Sequence, residues 1–366
     1  MASGKKNGAK KQPKSPALRA DIASLPRYVP GARGDARQFW KLSSNENPAP
    51  PLPGLLAAVA DAAADMNRYP DMYAVELTEA IARKLSVAPE QVVSANGSVA
   101  ALGHVLSAFC LPGDEVIYPW RSFEAYPITV QVSGATSVRV SLTADARHDL
   151  PAMAAAVNDA TRAVILCSPN NPTGPALREA EVRDVLADLP PRVLVLLDEA
   201  YVEYVRDPDV VDGLSLLGDF PNVMLLRTFS KAYGLAGLRV GYAVGEAGLI
   251  AGVRAASTPF GTNALAQRAA VEALRLERQL LDRVSETVAE RDRVLAAVRR
   301  IGWDVPESEG NFFWLALGRD TDAFVRTAND AGLLVRGFSG EGVRISIGES
   351  EANDAVITLL RKLKKG

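Results

Sequence analysis

The sequence predicts an α/β protein: a large domain with a mainly parallel sheet flanked by helices, plus a small α/β domain. Three observations carry this. Between about residues 90 and 245, short runs rich in Val, Ile and Leu each end abruptly in polar or glycine-rich residues, then give way to a helix-patterned stretch. These runs are continuously apolar, as strands are when helices cover both faces of their sheet. The chain has 366 residues, 48% of them hydrophobic, which is enough for two domains.

The first nineteen residues (1–19) differ from the rest. Lys5, Lys6, Lys10, Lys11, Lys14 and Arg19 occur there with no acidic residue and almost no large apolar one. Such a basic arm could bind nucleic acid or anionic lipid; its composition predicts a solvated, disordered tail instead. It holds no apolar stretch of the kind a signal peptide needs. Residues 20–45, including Tyr28 and Trp40, are expected to join the small domain, and 46–262 to form the large one. The cluster Pro48 to Pro53 reads as a turn or linker.

Within the large domain, each strand leads to a polar cluster. Gln91-Val92-Val93 runs into Asn96-Gly97-Ser98, ahead of a helical pattern from Val99 to Phe109. Glu115 to Tyr118 leads to Pro119-Trp120, and Ala163 to Leu166 leads to Ser168-Pro169-Asn170-Asn171-Pro172. Val193 to Leu197 stops at Asp198-Glu199-Ala200-Tyr201, and Val223 to Leu226 enters a loop reaching Tyr242. Ligands of open α/β sheets bind beyond the carboxyl ends of strands, where these clusters fall. From 263 to 366 the small domain follows. It reads as an amphipathic helical stretch over 264–300, a strand from Phe312 to Leu317, and a helix from about Asp320 to Ala331. Two strands, around Leu334 and over Val343 to Ile347, precede a terminal helix.

Bulk composition narrows the function. With 41 basic and 43 acidic residues the body has no global electrostatic reason to seek nucleic acid or membrane. Cys110 and Cys167 cannot make a disulfide framework, no Cys–His cluster suggests a metal, and His104 and His148 are the only histidines. No run of about 18 apolar residues appears, and the chain reads as cytoplasmic.

Lys231 lies in Arg227-Thr228-Phe229-Ser230-Lys231-Ala232-Tyr233-Gly234, continuing to Arg239. An amine in a loop beyond a buried strand is placed to form a Schiff base with an aldehyde cofactor, while Ser230 and Arg239 hold a phosphate. Asp198, ending a strand buried on both faces, needs a partner. By itself it reads as a helix N-cap or a buried ion pair; with Lys231 downstream it reads as the carboxylate facing a pyridinium nitrogen. Tyr201 reaches the same crevice and can hydrogen-bond the ring's 3-oxygen; the string around Asn171 is by itself a rigid turn, or at a strand's carboxyl end aims the Asn171 amide at that oxygen. Asn96-Gly97-Ser98, opening a helix, offers amides to a phosphate or is an ordinary cap. Phe123 either stacks on the ring or belongs to the core. Arg344, alternating with apolar residues, is an exposed-face arginine or a clamp on a substrate carboxylate, with Arg336 a second candidate.

Taken in order, the Asn171, Asp198, Tyr201, Ser230, Lys231 and Arg239 motifs resemble the histidinol-phosphate aminotransferase group of the class II, fold-type I pyridoxal-phosphate aminotransferases. That group includes an actinobacterial aromatic amino acid (phenylalanine) branch, and the match covers nearly the whole chain after about residue 20. The resemblance implies pyridoxal 5'-phosphate on Lys231 and a homodimer with shared sites. In it, Tyr69 of Asn67-Arg68-Tyr69-Pro70-Asp71 reaches the cofactor phosphate of the neighbouring subunit. It also implies pocket roles for Tyr28, Asn45 and Asn311, and makes Arg336 and Arg344 the pair gripping the substrate's anionic end. One departure bears on substrate. Many histidinol-phosphate enzymes carry an acidic pair after the Asn-Gly-Ser string, where this chain has Val99-Ala100. Together with Trp120 to Pro127 this resembles the aromatic branch. The expected reaction is therefore aromatic amino acid plus 2-oxoglutarate to aromatic 2-oxo acid plus glutamate, with histidinol phosphate as the alternative substrate. A decarboxylase or β-lyase on the same scaffold is a rival. A pyridoxal-sensing regulator would need a DNA-binding module, which about twenty tail residues are too few to supply.

Overall fold

The computed structural model describes residues 16–25 and 39–365; Tyr28 and residues 1–15 of the basic tail lie outside them. Seven strands form the larger sheet: β2 (Val92–Ala95), β3 (Glu115–Trp120), β4 (Thr136–Ser141), β5 (Thr161–Cys167), β6 (Leu194–Asp198), β7 (Val223–Thr228) and β8 (Gly241–Val244), with β1 (Trp40–Leu42) preceding them in the chain. Their order is β2-β8-β7-β6-β5-β3-β4. Alternate residues of one strand serve opposite faces. Val195 and Leu197 of β6 join one buried cluster, while Leu194 and Leu196 join the other. A strand sealed on both sides has no position for a polar side chain until it ends, which is why the apolar runs are unbroken.

Neighbours from β7 through β6, β5 and β3 to β4 pair in parallel, but β8 is antiparallel to both β7 and β2. Parallel return needs a crossover, usually a helix. The segment between β7 and β8 holds only the short 3-10 turn Ala236–Leu238, so the chain doubles straight back. That loop carries Ser230, Lys231 and Arg239.

A second sheet, in order β1-β10-β11-β9, holds β9 (Phe312–Leu315), β10 (Leu333–Phe338) and β11 (Gly342–Ser346). Trp40–Leu42 pairs in parallel with Leu333–Val335, tying the N-terminal segment to this C-terminal layer. The stretch 264–300 is two helices, Ala264–Arg275 and Glu277–Ile301, rather than one continuous element. No Pro or Gly marks the break at Leu276. Its side chain packs on Gly54, where an added Cβ would lie 2.9 Å from Leu276 Cδ1. The second of these helices belongs to both cores: Leu280, Val284 and Val288 face the large-sheet cluster, and Val294, Leu295 and Val298 the small-sheet cluster. Strand β9 ends at Leu315, two residues short of the expected Leu317.

Candidate active site

Beyond the carboxyl ends of β5, β6 and β7 lies a cavity of about 440 Å³. Ser98, Phe123, Asn171, Asp198, Tyr201, Ser230, Lys231 and Arg239 line it from the large-sheet side, and Arg336 and Arg344 from the small sheet. Every one of these was picked from sequence.

Asp198 is the last residue of β6, 6% exposed. The hydroxyl of Tyr126 donates to its Oδ2 at 2.7 Å, and the Ala200 amide to Oδ1 at 3.3 Å. Burial pushes the carboxyl up to about 6, against the pull of the Tyr126 hydrogen bond. Lys231, one turn past β7, donates from Nζ to the Ser44 carbonyl at 3.2 Å. Burial, then the nearby Arg344 charge, brings its ammonium down to about 7. An amine near neutrality and a buried acid in one cavity form a functional constellation.

The walls are braced. Asn45 Nδ2 donates to the Tyr201 hydroxyl at 3.0 Å, and the Tyr201 ring meets Phe312 edge-on at 5.0 Å. Asn171 Oδ1 accepts from Arg344 Nη1 at 2.6 Å. Its turn is held by Asn170, whose Nδ2 donates to Thr173 Oγ1 at 2.7 Å and to the Arg121 carbonyl at 3.1 Å. At the other end, Ser98 opens the helix Ser98–Phe109, and Arg239 Nη1 donates to Ser230 Oγ at 3.3 Å. Gly97 has φ +89°, and a Cβ there would lie 2.5 Å from Arg239 Nη2. Arg239 itself has φ +59°, a conformation that costs a non-glycine residue energy and is found at sites the fold over-determines.

These residues fit pyridoxal phosphate. Amides at a helix start, two hydroxyls and a guanidinium make an anion cup that a side chain at position 97 would fill. A buried carboxylate and a low-pKa amine share the same cavity, the donor set that a pyridinium nitrogen and an aldehyde would need.

Several expected residues lie elsewhere. Asn96 is exposed and off the cavity wall. Asn45 and Asn311 are buried one layer behind the wall, where Asn311 Nδ2 donates to the Asn45 carbonyl at 3.2 Å. Tyr69 is 84% exposed, its ring 4.8 Å from that of Phe260. Tyr28 falls outside the described residues. Sequence reasoning did not single out Tyr126, Glu124 or Cys167 as site residues. Tyr126 follows Phe123 by three positions, a helical spacing that could have flagged it. Cys167 lines the cavity, but burial pushes its thiol up to about 12, leaving it protonated and inert. Among the described residues no helix is long and apolar enough to cross a membrane, and no His, Cys, Asp and Glu side chains group as a metal site.

The family model for aminotransferase class I and II matches residues 37–360. A protein of Thermobifida fusca (strain YX) named aromatic amino acid aminotransferase is 53% identical over 354 residues, covering 96% of this chain and 98% of that one. A Streptomyces avermitilis protein of the same name is 50% identical, with the same coverage. Among solved structures, histidinol-phosphate aminotransferase from Sinorhizobium meliloti, in complex with pyridoxal-5'-phosphate, superposes with a TM-score of 0.81. It is 28% identical and covers 88% of this chain and 90% of its own.

Proposed function

The chain belongs to the class I and II aminotransferases and is a pyridoxal-phosphate-dependent transaminase, and we propose that it acts on aromatic amino acids with 2-oxoglutarate as acceptor. The observation that carries the substrate assignment is the 53% identity to an aromatic amino acid aminotransferase over 96% of the chain. The cavity agrees with it: Phe123 and Phe338 line the same cavity as Arg344, giving apolar surface in a site with a carboxylate clamp.

Pyridoxal phosphate, when bound, supplies an aldehyde that joins amines covalently and a ring that takes up the electrons of a broken Cα–H bond. In our assignment, Lys231 Nζ would hold the cofactor's aldehyde, and its free amine would take the proton from the substrate's Cα as general base. A base works best with its pKa near the working pH, and burial with Arg344 sets Lys231 at about 7. Asp198 keeps the ring nitrogen protonated, and Tyr126 fixes that carboxylate's orientation. Asn171 and Tyr201 would hydrogen-bond the cofactor's 3-oxygen, and Phe123 would pack on its ring. Ser230, Arg239 and the amides of Gly97-Ser98 hold the phosphate, and Arg344 holds the substrate's α-carboxylate.

We further assign residues 46–262 to a cofactor-binding large domain and 20–45 with 263–366 to a small one, supported by the β1–β10 pairing. We assign a homodimer, with Tyr69 completing the neighbour's phosphate site. Tyr69 and Phe260, both exposed and with their rings in tilted contact, leave apolar surface for such a contact. A monomer by sedimentation at micromolar concentration would remove it. A cytoplasmic location suits the free, buried Cys110 and Cys167.

The deciding experiment is a substrate panel of phenylalanine, tyrosine, tryptophan and histidinol phosphate with 2-oxoglutarate. We expect kcat/KM for at least one aromatic amino acid to exceed that for histidinol phosphate by about ten-fold or more. The reverse order would reassign the substrate.

A further inference from the structure

Asn45 lies one layer behind the cavity, 0% exposed, with a φ of +52° that costs a side-chain-bearing residue energy unless its surroundings hold it there. Each of its oxygens and nitrogens is hydrogen-bonded. The backbone N–H donates to Ser346 Oγ at 2.8 Å, and Ser346 Oγ donates back to Asn45 Oδ1 at 2.7 Å. The carbonyl accepts from Asn311, and Nδ2 donates to the Tyr201 hydroxyl oxygen at 3.0 Å. The two carbonyls ahead of it also serve the site. That of Ser43 accepts from Arg344 Nη2 at 2.6 Å, and that of Ser44 from Lys231 Nζ at 3.2 Å.

These bonds have a fixed direction. A backbone N–H can only donate, so Ser346 Oγ accepts there and keeps its own hydrogen for Asn45 Oδ1. That settles which end of the amide is oxygen and turns Nδ2, a donor only, to Tyr201. A phenol carries one hydrogen, which lies in the ring plane on one of two sides. With Nδ2 occupying one side, the hydrogen takes the other, and Tyr201 lines the cavity. We propose that Asn45, oriented by Ser346, is a positioning residue: it turns the Tyr201 hydroxyl hydrogen toward the cavity, so that this tyrosine donates to the cofactor's 3-oxygen instead of accepting from it. The inference rests on the assignment of Tyr201 to that oxygen and deepens it. A donor favours the ionised 3-oxygen, whereas an acceptor would favour the protonated one.

The test measures cofactor binding to ligand-free protein at pH 8 by equilibrium dialysis, comparing pyridoxal phosphate with 3-deoxypyridoxal phosphate, which lacks that oxygen. Asn45→Asp keeps the side chain's shape and a residue type that tolerates the left-handed backbone, but its carboxylate only accepts. The Tyr201 hydrogen then turns to that carboxylate. The affinity ratio of pyridoxal phosphate to the deoxy compound should fall by about ten-fold or more. Tyr201→Phe should lower the ratio as well, and Asn45→Asp added to Tyr201→Phe should lower it no further. A wild-type ratio in Asn45→Asp would overturn the proposal. So would an equal further fall in the double variant, since the effect would then be one of charge alone. Ser346→Ala, which frees the amide to rotate, should shift the ratio in the same direction. If Asn45→Asp does not fold, a wild-type ratio in Ser346→Ala overturns the proposal in its place. A Tyr201→Phe ratio equal to wild type shows a different failure: it removes the assignment of Tyr201, and the proposal with it.

Discussion

At the scale of single residues, the site is defined by two ionisable groups displaced toward each other. Lys231 is lowered to about 7 and Asp198 raised to about 6, burial being the largest cause of both. The signs matter. A depressed lysine contributes stability above its ordinary range that is lost as pH falls through about 7. A raised carboxyl contributes stability below its ordinary range that is lost as pH rises through about 6. The ligand-free protein therefore bears both costs together between these values, and a cofactor that engages both groups relieves them. Tyr126 tunes the acid. Its hydroxyl donates to Asp198 and lowers it, so Tyr126→Phe should raise the Asp198 pKa above about 6. Urea unfolding of the ligand-free variant should show a loss of about 1.5–3 kcal/mol at pH 8, the worth of a hydrogen bond to a charged group. The loss should shrink below pH 5, where the carboxyl is neutral. Equal losses at both pH values would mean that the tyrosine serves packing alone.

At the scale of elements, the phosphate cup depends on how closely β8 approaches the helix Ser98–Phe109. A Cβ on Gly241 would stand 2.5 Å from the Ser98 amide nitrogen and 2.9 Å from the Arg227 carbonyl. Gly241→Ala must push the strand and the helix start apart. We expect about 1–3 kcal/mol of lost stability, the usual result of overpacking, and at least about ten-fold weaker cofactor binding by equilibrium dialysis. Wild-type affinity would show that the cup tolerates the shift. The elements were unevenly legible in the sequence. Strands β5, β6 and β7 were visible because burial on both faces forbids polar residues within them, and their chemistry was visible because it begins where they end. The antiparallel turn of β8 was not, since its apolar run reads alike in either direction. Nor was the break at Leu276, where the helical periodicity runs on with no Pro or Gly to mark an end.

Across the whole molecule, the site exists because two sheets meet. Lys231 and Asp198 come from one, Arg336 and Arg344 from the other, and the helix Glu277–Ile301 lies in the cores of both. Glu124 and Arg336 are 212 positions apart, as Asn171 and Arg344 are 173. No local pattern announces such pairs, so the sequence named both arginines but not the carboxylate paired with Arg336. Tyr126 and Asp198, 72 positions apart, escaped for the same reason. What the two sheets assemble is a buried amine held near neutrality, which we assign to covalent capture of an aldehyde. The most direct measurement is to add pyridoxal phosphate to ligand-free protein at a series of pH values, reduce with borohydride, and map the labelled peptide. The label should fall on Lys231, and its initial rate should climb as pH rises through about 7, levelling above it. Label spread over surface lysines, or a rate still climbing toward the ordinary lysine range, would contradict the account.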